Sequence, residues 1–221
     1  PDARVLVTSF VRTLPQVHRS LFERLAPDEM GRGEFTSLHA WAGRHLRQRG
    51  IDVTIAPDRL DRSLFAQAWS ATEASRTLTS ASASEDYWWD EIQSVIKGRG
   101  LTQRSAYLKL SRVGRRTPLR QEQRFAVWAL YEDYQRRLVT AGVKDWADLL
   151  SMALDSVREE PLPSPYTSVV IDEVQDLTCV GLQLMHALVR DMPVPADRLP
   201  RIVQSVTAVG ITFSVGGVSV P

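Results

Sequence analysis

The spacing of apolar positions divides the chain into unbroken apolar runs and stretches with helical period. Arg4-Val-Leu-Val-Thr-Ser-Phe10 is a short apolar run and predicts a buried strand. Leu14, Val17, Leu21, Phe22 and Leu25 then recur at helical spacing. They predict a helix within Val11–Leu25 that starts near Pro15, because proline fits a first helical turn. Residues 26–33 read as a loop, Glu34–Leu38 as a strand, and His39–Arg49 as a helix stopped by Gly50. Ile51–Ile55 reads as a short extended piece.

From Pro57 to about Val139 strand signals vanish. Asp61–Ala74, Asp86–Ile96 and Leu119–Thr140 read as helices, and Arg76–Ser84 as a loop of small polar residues. In the second of these helices Trp88, Ile92, Val95 and Ile96 fall on one face. Phe125, Trp128, Tyr131 and Leu138 are the expected anchors of the third. Another helix opens at Lys144 with Asp145 as its N-cap.

Ser168-Val-Val-Ile-Asp-Glu-Val-Gln-Asp-Leu177 carries the most chemistry. Val169, Val170 and Ile171 form an unbroken β-branched run, as in a strand buried on both faces of a parallel sheet. The run stops at Asp172 and Glu173, Asp176 follows, and Thr178 caps a helical pattern. The acids therefore fall at the carboxyl end of a strand, where open α/β sheets bind ligands. One carboxylate there can hold Mg²⁺, which is bound by a few carboxylates together with substrate phosphates. Its neighbour can orient a water for attack on a phosphoryl group.

Composition narrows this less than the pattern does. The chain has 221 residues, 43% hydrophobic and 24% charged, with a net charge of +1. A single cysteine, Cys179, excludes an internal disulfide and suggests a reducing, cytoplasmic setting. No apolar run is long enough for a membrane span. Charge is informative only locally. Lys97, Arg99, Arg104, Lys109, Arg112, Arg115, Arg116, Arg120 and Arg124 cluster with one acid, Glu122, among them. Such a cluster can contact a nucleic-acid backbone by releasing its counterions.

Several separated stretches then agree with one family. Val169-Val-Ile-Asp-Glu-Val-Gln-Asp-Leu177 resembles motif II, the Walker B element, of UvrD/Rep-type superfamily 1 DNA helicases. Val5–Leu14 resembles their motif Ia, Phe35-Thr-Ser-Leu-His-Ala-Trp41 their motif Ib, and Asp145-Trp-Ala-Asp-Leu-Leu150 a segment preceding motif II. The resemblance implies an α/β fold: a partial RecA-like parallel sheet (subdomain 1A) interrupted by a mostly helical insertion (subdomain 1B). The corresponding divisions are 1–56 and 141–192 for the sheet portion, 57–140 for the basic insertion and 193–221 for an atypical tail. It implies ATP hydrolysis coupled to movement on single-stranded DNA, in repair or recombination, with ATP and Mg²⁺ as cofactors. Single-stranded and duplex DNA would be the partners, without a membrane. Asp172 would bind Mg²⁺, Glu173 would activate water, and Gln175 and Asp176 would couple to ATP. Thr8, Phe10, Thr36 and His39 would line the DNA path, with Arg112, Arg115 and Arg116 on the basic insertion.

The departures matter too. No Gly-x-x-x-x-Gly-Lys-Ser/Thr occurs, so the sequence contains no loop to cradle the β- and γ-phosphates. The chain starts at Pro1, and after Met192 its composition turns to uncharged Val, Ser, Thr and Gly. These features suggest part of a longer helicase with a tail read out of frame. The alternative is a catalytically inactive remnant that only binds DNA. A metal-dependent nuclease using Asp172, Glu173 and Asp176 ranks below both, because two-metal sites draw carboxylates from several elements.

Overall fold

The structure, a computed structural model, describes residues 3–80, 84–111 and 117–189. The tail from residue 193 and the arginines Arg112, Arg115 and Arg116 lie outside the described residues. Three short strands form one parallel sheet: β1 (Val5–Ser9), β2 (Gly33–Ser37) and β3 (Ser168–Asp172), in the order β2-β1-β3. The register aligns Ser37, Ser9 and Asp172 across the carboxyl edge and Thr36, Thr8 and Ile171 one residue before it. Registered neighbours share a face, so the sheet has two distinct sides.

One side meets helix α1 (Leu14–Leu25), where Phe22 packs on Phe35 with ring centroids 5.4 Å apart. The other side carries Leu6, Val169 and Ile171. It is covered by α2 (Leu38–Gln48), α8 (Trp146–Glu159) and α9 (Cys179–Ala187). Leu6, Leu38, Ala42, Ala153 and Leu184 are fully buried in this core. The fold is thus α/β, a partial RecA-like sheet within a mostly helical chain.

A second core joins α3 (Asp58–Ala71), α4 (Ala74–Thr79), α5 (Glu85–Asp90), α6 (Arg104–Lys109) and α7 (Gln121–Thr140). Trp88, Ile92, Ile96, Val127, Leu130 and Tyr134 are its centre. The chain enters and leaves this bundle at one point. There Lys144 bridges the segment around Ile55: Ala56 N–H donates to Lys144 O at 2.8 Å, and Lys144 N–H to Thr54 O at 2.9 Å. Among the described residues no helix is long and apolar enough to cross a membrane.

Four local features differ from the pattern-based expectation. Residues 76–79 belong to α4 rather than to a loop. Ala74 and Leu78, one turn apart, are buried against α7, and the Ser75 and Thr79 hydroxyls bond backward to backbone carbonyls. The aromatic helix widens after Asp90 into a π-helical segment, Glu91–Lys97. Gly98 closes it by donating to Gln93 O at 2.8 Å, and an added Cβ at Gly98 would lie 2.5 Å from the Ser94 carbonyl oxygen. Phe125, expected as a core anchor, is 41% exposed, with the Arg104 guanidinium 5.6 Å from its ring centre. Lys97 and Arg124 leave the basic surface. Lys97 is buried, and the Arg124 guanidinium donates to the carbonyls of Leu108 and Leu110, at the end of α6.

Candidate nucleotide and nucleic-acid interface

Two groups of side chains converge at the carboxyl edge of the sheet. The first is acidic. β3 ends at Asp172, and the backbone then reverses through Glu173 at φ 54°, the sole non-glycine positive φ among the described residues. A left-handed turn of this kind costs a non-glycine residue about 1–2 kcal/mol and recurs at functional sites. It carries the chain into a short 3₁₀ turn, Val174–Asp176, closed by Asp176 N–H to Glu173 O at 3.0 Å. Thr178 then accepts from Gly181 N–H at 3.1 Å and starts α9. The turn leaves Glu173, Gln175 and Asp176 exposed, and Gln175 donates a side-chain bond to Glu173 Oε2.

Asp172 is only partly exposed and lies on the α1 side of the sheet. Its Oδ2 is 3.1 Å from His18 Nε2 on α1. Among the described residues, no group of three or more His, Cys, Asp or Glu side chains can hold a metal ion by itself. One strand-tip carboxylate with an accessible oxygen instead fits a hard cation of the Mg²⁺ type, whose remaining ligands are water and substrate phosphate.

The second group is aromatic. Phe10, just past β1, is 41% exposed. Its ring meets His39 edge-on at 5.2 Å, and His39 meets Trp146 edge-on at 5.3 Å. The Arg12 guanidinium lies 4.8 Å from the Trp146 ring centre. Local capping explains the arrangement: Ser37 caps α2 two residues before His39, and Asp145 caps α8 next to Trp146. The sequence reading included Phe10 and His39 and missed Trp146 and Arg12. Only the fold brings α8 beside α2; its sequence signal, Trp146 after an N-cap, reads equally as a core residue.

Thr8 is 1% exposed and Thr36 8%, so both are inner residues of the sheet. The Thr8 hydroxyl has no hydrogen-bond partner. They line up behind the strand tips rather than on the open surface with Phe10. Arg99, Arg104, Lys109 and Arg120 of the basic stretch are exposed.

Burial, and then the nearby Arg12 charge, lower the His39 pKa to about 4 from its ordinary 6.5. His39 is therefore a neutral ring at physiological pH, suited to contact with other rings. The linkage has a definite sign. Between about 4 and 6.5 the unfolded chain binds a proton that the folded chain does not, so acidification through this window destabilises the fold. His39→Gln should flatten this dependence. The check is thermal melting of both proteins between pH 7 and pH 4.5; equal losses of melting temperature would contradict it.

The fold and the site are those of an α/β protein with acids at the carboxyl edge of a parallel sheet, an aromatic row nearby and a second, helical core. The chain matches the UvrD/REP helicase N-terminal domain over residues 23–202, well over half its length, and it belongs to that family. The match begins within α1 and includes β2, the insertion and β3 with its acidic turn. Among curated proteins none matches the chain.

Proposed function

We propose that this chain is the portion of an ATP-dependent DNA translocase that joins a nucleotide site to a single-strand path. The carrying observation is the strand-tip turn: Asp172 ends β3 and Glu173 is thrown outward by its left-handed backbone. In this reading Asp172 holds Mg²⁺, which would supply charge neutralisation at the phosphates when bound. Exposed Glu173 orients a water for attack on the γ-phosphorus and takes its proton. Gln175 and Asp176, on the same turn, link that site to α9. Residues 57–140 form the helical subdomain and 1–56 with 141–192 the sheet subdomain. This division is supported by their separate cores and the single crossing point at Ala56 and Lys144. Single-stranded DNA runs along the open edge, stacking on Phe10, His39 and Trp146, while Arg112, Arg115 and Arg116 contact phosphates. Thr8 and Thr36 stiffen that edge from within. A repair or recombination role belongs to the helicase reading, and a cytoplasmic location is supported by the single cysteine, Cys179.

A second reading is favoured by one observation: the sequence contains no Gly-x-x-x-x-Gly-Lys-Ser/Thr. Without the loop that supports transition-state charge, the chain binds DNA and does not turn over ATP. Phosphate release with and without single-stranded DNA tests whether this chain turns over ATP by itself. We expect no DNA-stimulated release from the 221-residue chain. Robust stimulated turnover, lost in Glu173→Gln, would instead establish hydrolysis by these residues.

A further inference from the structure

We propose that Lys97 is a positioning residue for the aromatic row: from the helical insertion it holds the first turn of α8, and with it the Trp146 ring. The proposal rests on the reading of that row as the single-strand path. It starts from how the Asp145 carboxylate divides its two oxygens. Oδ1 accepts from Asp148 N–H at 2.9 Å and caps α8, the usual work of an N-cap aspartate. Oδ2 serves another part of the chain. It accepts from Lys97 Nζ at 2.5 Å, from Gln93 Nε2 at 3.0 Å and from the Tyr134 hydroxyl at 3.0 Å. All three donors belong to the insertion, two on the π-helical segment and one on α7. The residue after Asp145 is Trp146, so the insertion grips the backbone immediately beside that ring.

Lys97 is the strongest of the three holds, because a hydrogen bond between two charged groups exceeds one with a neutral donor. Its ammonium also pairs with Asp148 Oδ1 at 2.9 Å, so it ties two residues of one helical turn. Lys97 is itself fixed. Gly98 N–H donates to Gln93 O at 2.8 Å, and Gly98 O accepts from Val180 N–H at 2.9 Å, which pins the end of the π-helical segment to α9. The Lys97 and Asp145 side chains are buried, so this ammonium does not meet a phosphate. Capping α8 does not require the buried charge either, since Oδ1 alone meets that need. A buried ion pair adds little net stability over apolar packing, and one use of such a pair is to fix a single geometry. The geometry fixed here is that of the α8 start. Trp146 projects from it to meet His39 at 5.3 Å, with Arg12 4.8 Å from its ring centre. Groups that contact a ligand must be held to within about 0.5 Å by the side chains behind them, and Lys97 is such a support.

The test titrates the full chain into a labelled oligothymidine across a salt series, read by anisotropy. Lys97→Met alone strands a buried carboxylate, so the variant used is Lys97→Met/Asp145→Asn. It removes both charges, and asparagine keeps an oxygen that caps α8. Far-UV circular dichroism of each variant shows that the fold is kept before it is titrated. We expect the paired change to weaken binding about fivefold or more, the lower end of what one stacked base is worth. The dependence of log K on log salt should stay as in the unaltered chain. Made on top of Trp146→Ala, the same pair should change affinity by less than about twofold, the scatter expected when no interaction is left to lose. A loss smaller than about fivefold in the paired variant would overturn the proposal. So would a salt slope reduced by about 0.7, because Lys97 would then be a phosphate contact. Equal losses with and without Trp146 would overturn it as well, since the hold would then act on something other than that ring. If Trp146→Ala leaves binding unchanged, the reading of the aromatic row itself falls and the proposal with it.

Discussion

Replacing Lys97 by Met should lower the free energy of unfolding by about 3–5 kcal/mol, the cost of stranding a buried charge. The Lys97 and Asp145 side chains are only 3% and 2% exposed. The ammonium lies 2.5 Å from Asp145 Oδ2, 2.9 Å from Asp148 Oδ1 and 3.0 Å from Gln135 Oε1. Asp145 also accepts from Gln93 Nε2 and from the Tyr134 hydroxyl, each at 3.0 Å. Its other oxygen caps α8 through Asp148 N–H at 2.9 Å. Removing the ammonium leaves two carboxylates facing each other where water cannot compensate them.

The acid dependence of this effect has a sign. Burial pushes the Asp145 carboxyl up, but the Lys97 charge and hydrogen bond outweigh it, helped by the Asp148 backbone and Gln93, and hold it below 3.8. Its contribution is therefore complete above that value and is lost as pH falls through the depressed folded pKa. The penalty of Lys97→Met should accordingly be full at pH 7 and shrink below about pH 4, where carboxyls protonate. Lys97→Met/Asp145→Asn, which removes both charges, should recover part of it. Urea unfolding at pH 7 is the measurement; a loss under about 1 kcal/mol for the single variant would show that the network is not the buried charge pair described.

Trp146→Ala should weaken single-stranded DNA binding by about 5- to 150-fold, corresponding to about 1–3 kcal/mol for one stacked base. Phe10→Ala should fall in the same range, because the two rings flank His39 in one row. Arg12 contributes differently. Its guanidinium caps the Trp146 ring and has no described acidic partner, so it can reach a phosphate. Arg12→Ala should therefore reduce the dependence of log K on log salt by about 0.7, the share of one single-strand phosphate contact. Anisotropy of a labelled oligothymidine across a salt series reads both effects. Unchanged affinity in Trp146→Ala and Phe10→Ala together would remove the aromatic row from the DNA path. Trp146 also opens α8, so circular dichroism of the variant must show intact helix content for the result to count.

Lys97 shows how far local pattern carries and where it stops. In sequence it is the first member of a basic cluster and reads as a phosphate contact. In the fold it ends the π-helical segment, one residue before the carbonyl of Gly98 accepts from Val180 N–H at 2.9 Å in the first turn of α9. It thus lies between the helix that follows the acidic turn and the cap of the helix that carries Trp146. Arg124 illustrates the same limit, its charge spent on backbone carbonyls at the end of α6. Charge clustering reports composition, and whether a cation faces water or a buried carboxylate depends on partners far along the chain.

By contrast, the strands, the caps and the acidic turn were legible because each is decided by neighbours a few residues apart. The β-branched run before Asp172 makes a strand, Asp145 and Thr178 cap helices through N–H groups three residues on, and Gly50 and Pro15 mark a helix end and a helix start. These set the α/β class and put Asp172 and Glu173 at a strand tip. Tertiary structure alone decided that β1 lies between β2 and β3, which lines up Ser9 with Asp172. It alone brought His18 to Asp172, Trp146 to His39 and Lys97 to Asp145. Hydrogen bonds and ring contacts are short-ranged, so their partners are fixed by which helix packs on which face of the sheet, and that choice is made by the whole apolar core at once.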